Sequence, residues 1–263
     1  MEKKRLDALL HELGYARSRE RAKKLILSGG VTVDGRTASK PAMPVDAGSA
    51  IAVTEEKIPY VSRGGDKLEG ALDAFVIDLK GRVCLDVGAS TGGFTDCMLR
   101  RGAALVYAVD VGTGQLDASL AADSRVVSLE RTDIRSLDAG AISPVSFAAV
   151  DVSFISLRLV LPHIGRFCAP GAEALCLVKP QFEAGRGGVG KGGIVKSETV
   201  RRRAVESVAA FAREAGFTEG RLPSGGACRP GPAPNSVVSP LKGGDGNIEF
   251  FLFLLYNGGK ACL

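Results

Sequence analysis

One short stretch constrains the fold of this chain more than any other, because it is an apolar strand that runs into a glycine-rich turn. The stretch is LDVGASTGGFTD, residues 85–96, and it places Gly88, Gly92 and Gly93 just after the apolar run. In open parallel sheets, ligands bind beyond the carboxyl ends of strands, near the point where the strand order reverses. We therefore predict a ligand site at this turn. The question is whether that ligand carries phosphate.

From about residue 82 onward, apolar strands alternate with helices. Six runs predict strands: VCLDVGA, LVYAVDV, VVSLE, FAAVDVS, ALCLVKP and IEFFLFLLY. The intervening FTDCMLRRG, SLRLVLPHIGRFC and SETVRRRAVESVAAFAREAG predict helices, as does DKLEGALDAF before the first strand. Such alternation predicts an α/β fold, with a parallel sheet covered by helices on both faces. The last strand follows a long loop, so we expect it at an antiparallel edge.

The beginning of the chain has a different pattern and predicts a small α+β module. RLDALLHELG has leucines at helical spacing and ends at Gly14. Ser18 is predicted to cap a second helix, SRERAKKLILSGG, and short strands follow it. We expect one domain over residues 1–58 and a second over residues 59–263, with a linker region at 54–62.

Basic residues crowd the start of the second predicted helix. A helix start suits phosphate, because it offers free N–H groups and a positive dipole end. The net charge of +5 and the isoelectric point of about 8.9 permit a nucleic-acid partner without proving one. A solvated charged face is the alternative interpretation. The candidate nucleic-acid-binding residues are Arg5, Arg17, Arg19, Arg21, Lys23, Lys24, Arg63, Arg186 and Lys191.

The glycine turn is a poor match to the phosphate-binding motifs. Its pattern is G-A-S-T-G-G, which differs from G-x-G-x-x-G and lacks the Gly-Lys-Ser/Thr ending of a P-loop. Asp110 ends the second strand about twenty residues on, where a carboxylate can accept ribose hydroxyls, and Asp133 follows the third strand. A ligand with ribose and adenine but without phosphate fits both features, and S-adenosylmethionine is such a ligand. The alternative is that both acids only cap helices.

We expect neither a metal site nor a membrane-spanning segment. The six cysteines include no C-x-x-C pair, which argues against zinc and fits a reducing cytoplasm. The longest apolar run, IEFFLFLLY, is too short to cross a bilayer, and the charged beginning of the chain precedes no long apolar core. The predicted location is the cytoplasm.

Several motifs resemble those of one known family. DVGASTGGF resembles the cofactor motif of FtsJ-type RNA ribose methyltransferases, and YVSRGGDKLEGAL, VDVSFISL, LVKPQFE and SPLKGGDGNIEFF look like the TlyA family of that group. The amino-terminal module looks like an S4 RNA-binding domain. The resemblance covers nearly the whole chain, although CRPGPAPN at residues 228–235 looks like extra chain. It implies a small S4 domain joined to a seven-stranded Rossmann-like methyltransferase domain.

The resemblance also implies an activity and a set of residues. The activity is S-adenosylmethionine-dependent 2′-O-methylation of cytidine ribose in ribosomal RNA of the small or large subunit, and some relatives are labelled hemolysins. A Lys-Asp-Lys-Glu catalytic set corresponds to Lys67, Asp151, Lys179 and Glu249. The implied cofactor-binding positions are Gly88, Ala89, Ser90, Gly92, Gly93, Phe94, Asp110, Asp133 and Asp151.

These four residue types suit the chemistry. A ribose hydroxyl is a poor nucleophile until its proton leaves, so the site needs alignment and a base. Burial and a second nearby cation both favour the neutral form of a lysine, which is the form that can accept a proton. We predict Lys179 as the base, with Lys67 tuning it and holding the oxygen. Asp151 is expected to orient Lys179 and favour the sulfonium, and Glu249 to complete the hydrogen-bond network.

Two other functions remain open at this point. A non-catalytic RNA-binding ribosome-assembly factor would keep the basic module and the cofactor fold, but it would not need two lysines at strand ends. A membrane-active hemolysin would need a membrane segment or a long amphipathic stretch, and the sequence offers neither. The oligomeric state is not predicted.

Overall fold

The chain forms two compact units, Met1–Ile58 and Pro59–Leu263. Counted over the residues that the structure describes, the smaller unit has one hydrophobic cluster and the larger unit has two. The computed structural model of the protein describes residues 3–16, 19–27, 29–46, 48–53, 60–185, 187–221 and 229–258.

The smaller unit packs two helices beside short antiparallel strands. One sheet pairs β1 with β4, and a second has the order β3-β2-β5. Leu6, Leu9 and Leu10 of the first helix are buried, as their helical spacing predicts, whereas Leu13, just after the helix, is exposed. The predicted cap Ser18 lies outside the described residues. The elements are β1 Lys3–Arg5, α1 Leu6–Glu12, α2 Arg19–Leu27, β2 Val31–Val33, β3 Arg36–Thr37, β4 Pro44–Asp46 and β5 Ile51–Val53.

In its described residues, the larger unit alternates strands and helices around one sheet and also has three short 3₁₀ helices. The α-helices are α3 Arg63–Phe75, α4 Gly93–Arg100, α5 Ala118–Ala121, α6 Leu161–Ile164, α7 Pro180–Glu183 and α8 Glu198–Glu214. The strands are β6 Val83–Val87, β7 Leu105–Val109, β8 Val126–Leu129, β9 Val145–Val150, β10 Cys168–Val178, β11 Phe217–Glu219, β12 Ser236–Val238 and β13 Phe250–Tyr256. The 3₁₀ helices are Ala139–Ala141, Leu157–Leu159 and Lys191–Gly193.

The central sheet has the strand order β11-β13-β10-β9-β6-β7-β8, and β12 pairs with β13 as an eighth strand. Strands β10, β9, β6, β7 and β8 are parallel, as predicted. From β6 the chain moves outward to β7 and β8, and then returns to the other side of β6 as β9. The reversal of strand order therefore lies between β6 and β9, where open α/β sheets bind ligands.

The last strand is antiparallel, but the prediction that it forms an edge is wrong. Strand β13 pairs with β10 on one side and with β11 and β12 on the other. Its nearly continuous apolar run is buried, which is typical of an interior strand. SLRLVLPHIGRFC is also not one helix, because it forms the 3₁₀ helix Leu157–Leu159 and then the four-residue α6. Pro162 in the first turn of α6 lacks an N–H and disfavours helix before it.

Helices cover both faces of the sheet, as predicted. Alternate residues of β6 show this, because Leu85 belongs to the cluster with α6 and α8, whereas Cys84 belongs to the cluster with α3 and α4. Large aliphatic and aromatic side chains fill both layers. Phe217 on one face and Phe251 on the other are fully buried, so the interior is close-packed on each side of the sheet.

Asp86 is the polar exception inside β6. Its side chain is fully buried, and Thr95 Oγ1 donates to its Oδ2 at 2.6 Å. Among the described residues, Asp86 Oδ1 has no hydrogen-bond partner. Burial, assisted by the nearby Asp151 carboxylate, raises the pKa of Asp86 to about 7. The folded protein therefore holds this proton more tightly than the unfolded chain does.

We predict that Asp86→Asn changes the pH dependence of stability. A folded pKa of about 7, above an unfolded value of about 4, means that this carboxyl destabilises the fold progressively as pH rises from about 4 to 7. The amide imitates the protonated acid, so the variant should gain on the order of 2–4 kcal/mol over wild type at pH 8 and match it near pH 4. Urea unfolding followed by circular dichroism at several pH values measures this difference. Parallel pH profiles for the two proteins would contradict the prediction.

Candidate active site

The glycine turn after β6 brings the backbone close to the loop that follows β9. Gly88 has φ +87°, and a Cβ placed there would lie 2.4 Å from the backbone oxygen of Asp151. Both the conformation and the space therefore require glycine. The N–H groups of Gly88 and Ala89 donate to the oxygen of Val109, which ties the turn to β7. The turn is thus held in a fixed conformation at the reversal of strand order.

Asp110 lies just after β7 and is held by two backbone groups. Its Oδ2 accepts the N–H of Ser90 at 2.8 Å, and its Oδ1 accepts that of Gly112 at 2.7 Å. A carboxylate has about four acceptor positions, so both oxygens can take a further donor. Asp110 is therefore oriented beside the glycine turn with capacity for hydroxyl groups.

A loop after Asp110 folds onto the glycine turn, and sequence reasoning did not single out the residue that fixes it. Glu130, directly after β8, accepts the N–H groups of Gly114 at 2.8 Å and Gln115 at 3.1 Å. Ser90 Oγ donates to Gln115 Oε1 at 3.2 Å. Backbone hydrogen bonds, led by that from Gly114, hold the pKa of Glu130 below its usual value. The sequence feature that could have identified Glu130 is its position as an acid at the carboxyl end of the predicted strand VVSLE.

Asp133 has a different environment from Asp110. The guanidinium of Arg135 donates to both of its oxygens, with Nε 3.0 Å from each and a terminal nitrogen 2.6 Å from Oδ2. This contact lowers the pKa of Asp133. The carboxylate is therefore paired within its own loop, and a ligand amine would share it with Arg135.

A cleft lies over the glycine turn. It combines the turn, the start of α3 and the first residue after β9. Of the predicted cofactor positions, Gly92, Asp110 and Asp133 do not line it. The lining residues are Ser62, Arg63, Gly64, Lys67, Gly88, Ala89, Ser90, Thr91, Gly93, Phe94 and Asp151.

The four predicted catalytic side chains form two ion pairs. Lys67 Nζ lies 2.6 Å from Glu249 Oε2, with both side chains nearly buried. Lys179 Nζ lies 2.6 Å from Asp151 Oδ1, and it donates to Ser153 Oγ at 2.7 Å. Each ammonium therefore contacts a carboxylate. Lys179 also contacts the hydroxyl of Ser153, a residue that the sequence analysis did not name.

Strand direction explains why these residues meet. Asp151 directly follows β9 and Lys179 directly follows β10, so both lie at the carboxyl edge of the parallel strands. Glu249 directly precedes β13, and because β13 is antiparallel to β10, its beginning lies at that same edge. Lys67 reaches the edge from the first turns of α3. Four distant segments therefore place charge at one end of the sheet.

The four charges act on one another. Burial raises the pKa of Glu249 above its usual value, while the hydrogen bond from Lys67 and the charges of Lys67 and Lys179 oppose this rise. The charge of Asp151 also acts on it, in the raising direction. The ionisation of Glu249 therefore depends on the other three charged groups of the cluster.

The predicted RNA-binding residues differ in their contacts and in their exposure to solvent. In the smaller unit, Arg5 donates to both oxygens of the buried Asp7 at 3.0 and 2.9 Å, and Arg19 lies 3.5 Å from the same carboxylate. Both arginine side chains remain about half exposed. Lys23 is partly buried, and Lys191 is exposed. Arg17, Arg186 and the side chains of Arg21 and Lys24 lie outside the described residues.

In the larger unit, Arg63 lies at the rim of the cleft. It begins α3 and is exposed, and its terminal nitrogen donates to the backbone oxygen of Lys242 at 2.8 Å. Ser62 Oγ accepts the N–H of Gly64 and so caps this helix. A guanidinium held at the mouth of the cleft can contact phosphate while the cap keeps α3, and with it Lys67, in place.

The part of the chain that the structure describes contains neither a candidate metal-binding cluster nor a helix that could span a membrane. Within these ranges, no group of three or more His, Cys, Asp or Glu side chains could hold a metal ion. In the same part of the chain, no helix combines the length and the apolar character that crossing a membrane requires. Cys84, Cys97, Cys168 and Cys176 are buried free thiols.

Comparison with known proteins gives consistent matches over both units. A model of the FtsJ-like methyltransferase family matches residues 60–232, and a model of the S4 domain matches residues 4–51. A Mycobacterium tuberculosis protein named 16S/23S rRNA (cytidine-2′-O)-methyltransferase TlyA is 47% identical over 252 residues, covering 95% of this chain and 89% of that protein.

Two further relatives carry a hemolysin name. Hemolysin A of Brachyspira hyodysenteriae is 39% identical over 94% of this chain and 97% of its own length. A solved structure from Streptococcus thermophilus, described as a candidate hemolysin, superimposes with a TM-score of 0.72 at 42% identity, over 98% of this chain and 90% of that one. The chain therefore belongs to the TlyA family of FtsJ-like methyltransferases, which combines this domain with an amino-terminal S4 domain.

Proposed function

We propose that the protein transfers a methyl group from S-adenosylmethionine to the 2′-hydroxyl of a cytidine ribose in ribosomal RNA. The observation that carries this proposal is the pair of lysine–carboxylate contacts beside the glycine-turn cleft, with Lys67 and Asp151 in its lining. A module that only binds RNA has no need of four paired charges at this edge. The name of the M. tuberculosis relative supports the same reaction.

The residues at the turn fit S-adenosylmethionine. The bare backbone at Gly88 leaves room for close approach, and Asp110 has acceptor capacity for two ribose hydroxyls. The turn has no lysine to meet a triphosphate, and Asp151 offers a negative charge where the sulfonium would lie. The cofactor supplies an activated methyl group when bound.

The chain's own groups align and activate the hydroxyl. Lys179, in its neutral form, takes the hydroxyl proton, and Asp151 with Ser153 fixes the direction of its amine. Lys67, fixed by Glu249, donates to the ribose oxygen and holds it beside the base. Alignment and proton removal are the two contributions this chemistry requires.

RNA recognition is divided between the two units. The basic residues of the S4 domain and Arg63 at the cleft contact phosphates, which positions the RNA without reading its sequence. Ribosomal RNA or a ribosomal subunit is the partner that we propose, since the M. tuberculosis relative is named for both 16S and 23S RNA. Such binding should weaken as salt rises, because phosphate contacts release counterions.

The substrate proposal is tested by mapping methyl groups on ribosomal subunits. Purified protein with isotopically labelled S-adenosylmethionine should label the 2′-oxygen of a cytidine in one or both subunits. An oligonucleotide with 2′-deoxycytidine at the mapped position should accept no label, because the acceptor atom is absent. Label on a base, or no label on any subunit or assembly intermediate, would refute the proposal.

Replacing the predicted base should remove catalysis and leave the fold intact. We expect Lys179→Ala and Lys67→Ala each to lower kcat by about 10²–10⁴-fold, the usual contribution of a positioned proton-transfer group. Cofactor affinity should change little. Lys80→Ala is the matched control, because Lys80 is exposed before β6, at the opposite edge of the sheet. Full activity of Lys179→Ala would remove it from the role of base.

Asp110→Asn should weaken cofactor binding. We expect the dissociation constant for S-adenosylmethionine to rise about ten- to a hundredfold, since hydrogen bonds to a charged acceptor contribute roughly 1.5–3 kcal/mol. Calorimetric titration measures this change. Asp123→Asn is the control, because Asp123 also accepts a backbone N–H, that of Arg125 at 2.9 Å, but at the opposite edge. Equal affinity of the two variants would exclude Asp110 from the cofactor site.

A further inference from the structure

Helix α7 begins directly after Lys179 and ends at a buried acid, Glu183. The Glu183 side chain is only 2% exposed. Its Oε2 accepts the hydroxyl of Ser156 at 2.6 Å, and its Oε1 accepts the N–H of Leu157 at 2.7 Å. Arg158 Nε lies 3.7 Å from Oε2. Burying a carboxylate is costly unless donors and an opposite charge meet it, and here two hydrogen-bond donors and the Arg158 guanidinium do so.

The loop that Glu183 holds is the one that carries the partners of Lys179. Residues 151–156 connect the end of β9 to the 3₁₀ helix Leu157–Leu159. At the beginning of this loop, the Asp151 N–H donates to the backbone oxygen of Val87 at 2.9 Å. At its end, Ser156 and Leu157 donate to Glu183. The loop is thus fixed at both ends, with Asp151 and Ser153 between them.

The backbone between these two attachments is strained. Phe154 has φ +63°, an uncommon conformation for a residue with a bulky side chain, and it is 91% exposed. Such a conformation persists only where the surrounding structure imposes it. The Phe154 ring contacts Phe182 of α7, with ring centroids 5.2 Å apart. The 179–183 segment therefore meets the loop at Lys179, Phe182 and Glu183.

We propose that Glu183 is a positioning residue that sets the geometry of Lys179 against Asp151 and Ser153, and this proposal rests on the proposed function. Lys179 and Glu183 are joined by the single turn of α7, so a displacement at one end reaches the other. Without the carboxylate, the strained loop is free to relax and to carry Asp151 and Ser153 away from the amine. A misplacement of about 1 Å can cost on the order of a hundredfold in rate.

The test compares Glu183→Gln with wild type in methyl transfer to ribosomal subunits. The amide keeps the shape but loses the charge and one of the two acceptor oxygens. We expect kcat to fall about tenfold or more, with the KM for RNA and the affinity for S-adenosylmethionine within about twofold of wild type. The pH profile of kcat should also shift, because the groups that surround the base amine have moved.

A second variant and a control separate positioning from stability. Ser156→Ala removes one donor to Glu183, and the double variant should lose little more than Glu183→Gln alone, since both changes break one interaction. Glu173→Gln is the control, because Glu173 pairs with Arg82 and lies in β10 itself. It should keep the wild-type kcat and pH profile.

The outcomes distinguish the two proposals. Absence of methyl transfer by wild type refutes the proposed function itself. An active wild type, with a folded Glu183→Gln that keeps both kcat and the pH profile, overturns the positioning role alone. A lower melting temperature with unchanged kcat overturns it too, because that is a purely structural contribution. If Glu183→Gln does not fold, Ser156→Ala decides, and an unchanged kcat and pH profile there overturns the inference.

Discussion

Four charges at the carboxyl edge of the parallel strands can be withdrawn from water only if they are paired, and this constraint organises the larger unit. Removing a charge from water costs several kcal/mol, and a close opposite charge with further hydrogen bonds must compensate. Lys67 with Glu249, and Lys179 with Asp151, satisfy this requirement at 2.6 Å each. The pairs alternate in sign, so the cluster carries no net formal charge and can sit beside a close-packed core.

Topology then determines which segments can supply those charges. Parallel strands offer only their carboxyl ends at this edge, as β9 and β10 do with Asp151 and Lys179. A glutamate that precedes a strand can join them only if its strand runs the other way. The reversed direction of β13 therefore brings Glu249 to Lys67. Because β13 pairs with strands on both sides, the position of Glu249 at its beginning is fixed.

The sequence was sufficient for features whose cause is local. Apolar runs predicted the long strands, and the glycine turn predicted the position of the cleft, since Gly88 must accept the backbone of Asp151. Features that depend on distant contacts were missed. The short strands β11 and β12 exist because β13 offers them partners, and Glu183 in LVKPQFE looks like an ordinary surface charge until the loop ending at Ser156 folds onto it.

In both units, a carboxylate holds a cation in a fixed orientation. In the smaller unit, Asp7 is fully buried, and its hydrogen bond from Arg5 holds its pKa at about 2, so it stays ionised and keeps Arg5 and Arg19 oriented while half of each remains exposed. In the larger unit, Glu249 and Asp151 do the same for two lysines. A cation already held in place loses less freedom when it meets an anion or an oxygen, because its ordering cost was met on folding. Preorganisation of cations by carboxylates is thus a physical feature common to the proposed RNA-binding and catalytic residues.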